Sequence, residues 1–483
     1  MASDSAHRVP VVPVVPVVFL SLAAILALAI GGQSPAGQTG FDLVIANGRV
    51  MDPESGLDAV RNLGIRGGRI AAVASERLTG RAVVDASGLI VAPGFIDLHA
   101  HGQTPEIYRL QVLGGVTSAF ELEVGTADVD GWYAAREHGQ VINHGVSVGH
   151  IPVRMAVLRD PGTFLPTGDG AHRAASETEF AEIVRRLEEG VRQGAVAVGA
   201  GLPYTEAATP EELARVFGVA GSHDLSIHVH IRSGVAGLTE ALRLAEDAGA
   251  PLHVVHLNSS GTTETPEMLR LIQAARDRGQ DVTTEAYPYD AGMTEIRSAI
   301  LDEYEQAPDE KFAELEWPRT GETLTRETFA AFRAIGGPVI RRRNTEPMVA
   351  LAVSSPLTMI ASDAYWENGT GHPRTTGTYA KVLGRYVGDG KLALADALRK
   401  MTVMPAERLR PRVPAMRRKG RLGVGADADV TIFDPARVID RSTYREPALS
   451  PDGIAYVIVN GTVVVDKNGL VEGVAPGRPV RAR

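Results

Sequence analysis

The sequence predicts an α/β fold: a (β/α)8 TIM-like barrel to which the two chain ends add a small β-sandwich domain. Through the middle of the chain, apolar strand-like runs alternate with helical stretches, the pattern of a barrel of parallel strands. At both ends, strands of alternating polarity are separated by Asn-Gly turns. The length of 483 residues exceeds one ordinary compact domain but suits a large barrel with a smaller attached domain.

The first residues have the composition of an export signal. His7 and Arg8 precede an apolar run over residues 9–30, and a small polar stretch follows at 31–37. This order is typical of a secretory signal peptide, and a retained membrane anchor is the alternative. We therefore predict that residues 1–37 direct export to the periplasm or the medium, and that any membrane attachment depends on this segment alone. A lipoprotein is excluded, because the chain has no cysteine to acylate.

The two β-rich ends of the chain share one sequence pattern. Both alternate polar and apolar residues, which predicts half-buried strands. Their turns lie at Asn47-Gly48, Asn460-Gly461 and Asn468-Gly469. We therefore predict that residues 41–90 and 420–483 combine into one composite β-sandwich.

Residues 91–419 are predicted to form the barrel. Eight apolar runs, from GLIVAPGFIDLHAHG to LTMIASD, alternate with helical stretches such as EFAEIVRRLEEGVRQG. The stretch from about 290 to 345 is longer than a connecting loop should be. We predict an insertion there, after the seventh strand, that lines or covers the site.

Composition excludes several classes of function. The net charge of −9 argues against nucleic-acid binding, because an acidic chain repels phosphate backbones. The absence of cysteine excludes disulfides, cysteine-ligated zinc and thiol nucleophiles. Ser147 lies at the centre of a G-x-S-x-G match, but a nucleophile elbow needs a turn from strand into helix. Because the sequence continues as a strand into HIP, we predict that no helix opens there and that Ser147 is not a nucleophile.

Four histidines and one aspartate predict a metal site. His99 and His101 follow GFIDL, and residues i and i+2 of a strand point to the same side. His230, His256 and Asp363 each end a separate strand-like run. The carboxyl ends of barrel strands meet at one face, where active sites form. The pattern predicts a site for one or two metal ions, with zinc as the expected metal.

Two further histidines belong to the same runs. His228 alternates with His230, so we predict a buried, hydrogen-bonded histidine one layer deeper in the barrel. His253 has the opposite parity to His256, which predicts a position outside the barrel. Neither is expected to bind metal.

The chain resembles the amidohydrolase superfamily, and within it the D-aminoacylase, or N-acyl-D-amino-acid deacylase, group. The matching motifs include APGFIDLHAHG, GLPYTE, EAYPYDAGMT and, most specifically, GHPRTTGTYAKVLGRYV. The resemblance extends from about Phe41 to Val471. It implies that Asp363 is both a metal ligand and the proton shuttle. The other implied ligands are His99, His101, His230 and His256.

The chain departs from this group at two positions. The group commonly has a cysteine that contacts the metal near the end of the second strand, where this chain has Val124 or its neighbour. We predict that Glu123 replaces this cysteine as a metal ligand. Glu121 has the same strand parity and remains a second candidate for that role. The alternative is that both acids lie at the surface or only support the ligands. The second departure is Asn258, which stands where the group often has a substrate-binding lysine.

The remaining candidates for substrate binding are Tyr204, Tyr287, Tyr289, His372 and Arg374. Arg374 of the GHPR motif suits bidentate binding of a substrate carboxylate, and a loop-bracing salt bridge is the alternative. Tyr287 of AYPY suits hydrogen bonding to substrate, and simple packing is the alternative.

The predicted function is hydrolysis of a small N-acyl amino acid, of D configuration, by metal-activated water. A dipeptidase or a cyclic-amide hydrolase on the same scaffold is the alternative among enzymes. A binding protein that has lost catalysis is the alternative from another class. The presence of all five implied ligands argues against that last interpretation.

Overall fold

The computed structural model describes residues 40–482, and the predicted export segment 1–37 lies outside them. The strands are β1 (Phe41–Asp52), β2 (Leu57–Arg66), β3 (Arg69–Ala74), β4 (Gly80–Asp85), β5 (Ile90–Pro93), β6 (Phe95–Asp97), β7 (Val116–Thr126), β8 (Asn143–Gly149), β9 (Val198–Gly201), β10 (Ile227–His230), β11 (Leu252–Val254), β12 (Val282–Ala286), β13 (Ala291–Glu295), β14 (Leu315–Trp317), β15 (Glu322–Thr323), β16 (Pro338–Arg342), β17 (Thr358–Ile360), β18 (Trp366–Glu367), β19 (Thr370–Gly371), β20 (Val430–Phe433), β21 (Ile454–Val459), β22 (Thr462–Asp466) and β23 (Gly469–Leu470). The α-helices are α1 (Pro105–Leu113), α2 (Val129–Ala134), α3 (His150–Leu158), α4 (Asp169–His172), α5 (Glu177–Arg192), α6 (Pro210–Ser222), α7 (Gly234–Ala248), α8 (Leu257–Gly261), α9 (Thr265–Asp277), α10 (Arg326–Ile335), α11 (Glu346–Ser354), α12 (Arg374–Lys381), α13 (Leu394–Met401) and α14 (Val403–Leu409). Within these residues, no helix has both the length and the apolar character that crossing a membrane requires.

Eight parallel strands form the barrel and confirm the predicted fold class. Their order around the sheet is β6, β7, β8, β9, β10, β11, β12 and β17, which is also their order along the chain. A bridge between Ala100 and Ala364 brings the segments after β6 and β17 together. Parallel strands are covered on both faces, which explains why the first nine residues of β7 are all buried. The carboxyl ends of the eight strands therefore meet at one face, which we call the rim.

Strands from the two chain ends form a single nine-stranded sheet. β5 pairs antiparallel with β20, and Val91 lies opposite Ile432 at this junction. Asn47 and Asn460 adopt left-handed backbone conformations at two of the Asn-Gly turns, with φ of 62° and 47°. Asparagine tolerates this conformation better than most residues. The two ends of the chain thus fold as one unit.

The residues between β12 and β17 contain a second small sheet, in which β13, β16, β14 and β15 pair antiparallel in that order. Its apolar core includes Tyr304, Phe312, Trp317 and Phe329. Because β13 and β16 are neighbours, this insertion leaves and rejoins the barrel at nearly the same place.

The prediction that His253 lies outside the barrel is wrong. His253 is buried in the barrel interior, where its Nε2 lies 3.0 Å from Glu285 Oε2. Strand β11 ends at Val254, and His256 beyond it has a left-handed φ of 31°, so strand alternation does not reach His256. His228 is buried 3.1 Å from Ser226 Oγ, which confirms its predicted position.

The prediction that no helix follows Ser147 is also wrong. Helix α3 begins at His150, directly after β8. Ser147 is nevertheless fully buried, and its Oγ has no hydrogen-bonding partner among residues 40–482. Without an adjacent base to activate it, this serine lacks the geometry of a nucleophile.

Candidate active site

His99 and His101 stand at the centre of the rim, just beyond the end of β6. Both are buried, and their Nε2 atoms lie 3.1 Å apart. Their Nδ1 atoms point away and lie 2.5 Å from Glu285 Oε1 and 3.1 Å from Glu121 Oε1, respectively. A carboxylate on Nδ1 fixes the tautomer and orientation of a metal-binding imidazole. Both Nε2 atoms are therefore oriented to share one ligand.

Glu123 of β7 lies among four imidazoles. Its Oε2 is 2.7 Å from His99 Nε2 and 3.6 Å from His256 Nε2. The same oxygen is 3.7 Å from His101 Nε2, and Oε1 is 3.0 Å from His230 Nδ1. Glu123 thus faces the imidazole nitrogens of four different histidines.

Glu121 takes a different place, although it shares the parity of Glu123. Its carboxylate lies behind His101, at 3.1 and 3.2 Å from Nδ1, and accepts a hydrogen bond from the backbone amide of Gly102. The geometry therefore separates the two acids that the sequence left open, with Glu123 at the centre and Glu121 in support.

Asp363 completes the group from the segment after β17, in a left-handed backbone conformation with φ of 51°. Its Oδ1 lies 3.2 Å from His101 Nε2 and 3.5 Å from His99 Nε2. Its Oδ2 lies 2.9 Å from Arg374 Nη2. Although burial alone would raise it, the charges of Arg374 and His99 hold the pKa of Asp363 well below its ordinary value. This carboxylate is ionised at neutral pH.

These side chains fit a metal ion by position and by chemistry. In two groups of three residues, the ligand atoms lie within 4.8 Å of one another. One group is His99, His101 and Asp363, and the other is His99, Glu123 and His256. Imidazole and carboxylate ligands without thiolate suit zinc. Because the two groups share only His99, the arrangement fits one ion or two.

Glu285 was missed by the sequence analysis. Its buried carboxylate joins His99 Nδ1 at 2.5 Å to His253 Nε2 at 3.0 Å, beneath the metal-binding layer. Burial raises the pKa of Glu285, but the two imidazoles reverse the shift and hold it well below its ordinary value. The available signal was an acid inside the strand segment VTTEA, because a buried carboxylate is costly unless it is paired.

The cavity above this group is lined by Glu123, His230, His256 and Asp363, and by side chains of different character around them. Phe164, Leu165 and Ile300 form apolar walls, Tyr204 and Tyr287 add hydroxyls, and Arg341 and Arg343 lie on the insertion side. Two of the five predicted substrate-binding residues, Tyr204 and Tyr287, therefore face the cavity.

The other three, Tyr289, His372 and Arg374, do not line the cavity, and neither does Asn258. Tyr289 is buried, and its hydroxyl donates to the carbonyl of Pro373 at 3.4 Å. Asn258 is buried and donates a hydrogen bond to the backbone carbonyl of Tyr287 at 3.1 Å. His372 is buried, with Nε2 3.0 Å from the carbonyl of Ala291 and Nδ1 accepting from the amide of Arg374. Asn258 and His372 thus brace loops. Both follow strand ends, where strand alternation no longer sets the direction of a side chain, so the sequence pattern did not predict these contacts.

Arg374 lies directly behind the cavity wall. Its guanidinium pairs with Asp363, stands 4.8 Å from the centre of the Tyr287 ring, and has donors without a hydrogen-bonding partner among residues 40–482. Gly292 separates it from the cavity: a Cβ at this glycine would lie 3.2 Å from Tyr287 Oη and 3.9 Å from Arg374 Nη1. We call this opening the Gly292 notch. The missing side chain leaves space beside Tyr287 Oη and Arg374 Nη1.

A family model settles the assignment of the chain. The model described as "Amidohydrolase family" matches residues 82–146 and 154–465. This chain belongs to the amidohydrolase family. The D-aminoacylase of Alcaligenes xylosoxydans xylosoxydans is 30% identical to it over 473 residues, covering 88% of this chain and 94% of the relative. The N-acyl-D-glutamate deacylase of the same organism is 31% identical over 487 residues, with the same coverage of 88% and 94%.

Solved structures agree with this assignment. An N-acyl-D-glutamate deacylase from Bordetella bronchiseptica, in complex with zinc and a phosphonate mimic of the tetrahedral intermediate, superposes with a TM-score of 0.80 and 27% identity. The match covers 92% of this amidohydrolase and 100% of that chain. A D-aminoacylase structure superposes with a TM-score of 0.77 at 27% identity, over 91% of this chain and 100% of the other.

Proposed function

We propose that this amidohydrolase hydrolyses the amide bond of N-acyl-D-amino acids, with water activated at a centre of one or two zinc ions. The observation that carries the proposal is the position of Glu123 and Asp363 opposite buried histidines at the rim. The kinship with D-aminoacylase and N-acyl-D-glutamate deacylase supports both the bond and the D configuration.

The zinc would be held by imidazoles and carboxylates of the rim. Those residues are His99, His101, Glu123, His230, His256 and Asp363. Bound zinc lowers the pKa of water to about 7 and polarises a carbonyl group. Tyr204 adds a hydroxyl donor at the cavity wall, because burial raises its pKa and the phenol keeps its proton.

Asp363 is proposed as the general base and acid. Water adds to the amide carbon while its proton passes to the carboxylate of Asp363, which is ionised beforehand. The C–N bond then breaks, and Asp363 returns the proton to the leaving nitrogen, which would otherwise depart as a strongly basic anion. The products are a carboxylate and a free amino acid.

The Gly292 notch is proposed to hold the α-carboxylate of the substrate. Tyr287 Oη and Arg374 Nη1 lie behind the notch, and both are hydrogen-bond donors. Burial raises the pKa of Tyr287, so its hydroxyl stays protonated. An arginine with unused donors in a buried setting is a strong carboxylate ligand.

The charges of the cavity favour an N-acyl amino acid over the dipeptide alternative. Within residues 40–482, the carboxylates that line the cavity are Glu123 and Asp363, and both already face imidazoles. Neither is free to pair with the ammonium group of a dipeptide. The remaining charged side chains of the lining, Arg341 and Arg343, would repel that group.

Residues 1–37 are proposed to direct export, on the strength of their basic start, apolar run and polar exit. Cell fractionation of the full chain and of a variant without this segment tests the proposal. Retention of both in the cytoplasm would overturn it.

A panel assay tests the function. Purified protein, reconstituted with zinc, is offered N-acetyl-D-amino acids, their L enantiomers, dipeptides and cyclic amides. Release of acetate from the D series at rates well above the other three classes is expected. Turnover confined to dipeptides or cyclic amides would assign the alternative activity, and no turnover of any substrate by zinc-loaded protein would contradict the enzyme assignment.

A further inference from the structure

The catalytic cavity continues into an outer groove, which we call the vestibule. Its walls include Arg232, Glu303, Arg341 and Arg343. Arg341 and Arg343 line both the vestibule and the cavity. Arg341 belongs to β16 and Arg343 follows the last residue of that strand, and their shared lining of both spaces places them on the same side of the insertion. A substrate that fills the cavity and extends outward must pass these two guanidinium groups.

Three of the cations around this passage share two carboxylates. Glu303 pairs with Lys311 at 2.6 Å and also with Arg341. Glu314 lies 3.9 Å from Arg341 and 3.8 Å from Arg343. Lys311, Arg341 and Arg343 thus share these two carboxylates. The other charged residues of the vestibule are Glu206 and Arg232, and Arg232 pairs with Glu240 at 2.7 Å.

Arg343 is the least well paired of these three cations. Arg341 donates to Tyr304 Oη at 3.1 Å and to Glu303, so its charge has partners. The guanidinium of Arg343 makes no hydrogen bond within residues 40–482, although only 35% of its side chain is exposed. Burial and the neighbouring charge of Arg341 lower the pKa of Arg343, yet a guanidinium stays protonated at neutral pH. A partly buried cation without a close partner is unfavourable until an anion reaches it.

We propose that Arg343 forms a binding subsite for a second carboxylate of the substrate, distinct from the α-carboxylate at the Gly292 notch. The planar fork of a guanidinium matches a carboxylate by two parallel hydrogen bonds. The substrates selected are therefore N-acyl-D-amino acids that carry a further carboxylate, either on the amino-acid side chain or on the acyl group. This inference rests on the proposed deacylase function.

Arg342 provides a matched control. It is the neighbour of Arg343 in the chain and is equally exposed, at 35%, but it points to the opposite side of the insertion. There it pairs with Glu316 at 2.8 Å and stacks on Tyr444, and it lines neither the cavity nor the vestibule. Arg342→Gln therefore removes the same charge without touching the proposed subsite.

The test compares charged substrates with neutral isosteres on the zinc-loaded enzyme. N-acetyl-D-glutamate is paired with N-acetyl-D-glutamine, and N-succinyl-D-alanine with N-succinamoyl-D-alanine. Wild type is expected to prefer the charged member of at least one pair. Arg343→Gln should lower kcat/KM for that member by about 10- to 100-fold, the range for a charged hydrogen bond, and leave its neutral partner within about threefold. Arg343→Lys should fall between wild type and Arg343→Gln, and Arg342→Gln should keep the wild-type preference.

The pair that responds identifies where the second carboxylate lies. A wild-type enzyme that hydrolyses neutral N-acyl-D-amino acids but shows no preference for a charged member would overturn the subsite and leave the deacylase function intact. Equal losses for charged and neutral substrates in Arg343→Gln would also overturn it, because they would assign Arg343 to a group that all substrates share. Unchanged thermal unfolding and zinc content in the variants ensure that the ratios report binding.

Discussion

The rim and the insertion line the same cavity, but they present their side chains in different ways. At the rim, the groups come from several barrel strands, and His99 and His101 are each held by a second contact, to Glu285 and Glu121 respectively. On the insertion, Arg343 extends from the end of one antiparallel strand and lacks a close partner. We infer that the buried, firmly held side chains of the rim cleave the bond. The insertion selects the substrate, and its residues can change without disturbing the rim.

The largest expected effect concerns the proton at the rim. Asp363→Asn keeps the size and position of the side chain but cannot act as a base, so kcat should fall at least ~100-fold, the low end for general acid–base catalysis. Most of the zinc should remain, held by the histidines and Glu123. Measurement of kcat together with zinc content checks this. A variant with full zinc and nearly normal kcat would assign proton transfer to another residue.

The second largest effect is expected on zinc affinity, at Glu285 beneath the rim. Glu285→Gln leaves an acceptor for His99 but removes the charge, and loss of such a partner typically weakens metal binding 10- to 100-fold. Competition with a fluorescent chelator measures the zinc affinity. Glu212→Gln is the control, because Glu212 is a buried carboxylate that pairs with His150 at 2.8 Å on helix α6. It should lower thermal stability and leave zinc affinity unchanged, and equal zinc affinities in the two variants would reject the supporting role of Glu285.

On the insertion side, closing the Gly292 notch should affect binding more than turnover. A methyl group in Gly292→Ala would stand 3.2 Å from Tyr287 Oη, between the cavity and Arg374. KM for N-acyl-D-amino acids should rise about 10-fold with a smaller change in kcat, as for the loss of one charged hydrogen bond. Gly218→Ala on α6 is the control, because nothing lies within 4 Å of its Cβ position. An unchanged KM in Gly292→Ala would remove the α-carboxylate from this place.

The smallest effect is expected at Ser147. Because this buried hydroxyl has no partner among residues 40–482, Ser147→Ala should change kcat/KM less than about twofold. Steady-state kinetics on the same substrates suffices. A loss of several hundredfold would instead support a serine nucleophile at the G-x-S-x-G motif.

The strand pattern predicted which residues meet at the rim, although most of them lie just beyond the ends of their strands. The alternation of His99 with His101 and the strand-end positions of His256 and Asp363 predicted their meeting, and His230 joins them through Glu123 at 3.0 Å. The same reasoning failed at His253, because its parity was counted from His256, whose left-handed backbone breaks the alternation.

Loops and long-range pairs account for the rest. Asn258 and His372 follow strand ends, so their side-chain directions depend on tertiary contacts with backbone carbonyls of other segments. Glu285 pairs with His99 across 186 residues of chain, which no local pattern reveals. A search for acids inside apolar strands would have found Glu285 beside Glu121 and Glu123, since all three face the same cost of burial.

The central claim is that Glu123 takes part in binding the metal and Glu121 only orients a ligand. Zinc content by atomic emission, measured on dialysed wild type, Glu123→Ala and Glu121→Ala together with amidase activity, tests it most directly. Glu123→Ala should lose most of its zinc and activity, because its carboxylate lies 2.7 Å from His99 Nε2 and 3.0 Å from His230 Nδ1. Glu121→Ala should retain most of its zinc with reduced activity. Full zinc and activity in Glu123→Ala, or a larger loss in Glu121→Ala, would contradict the account.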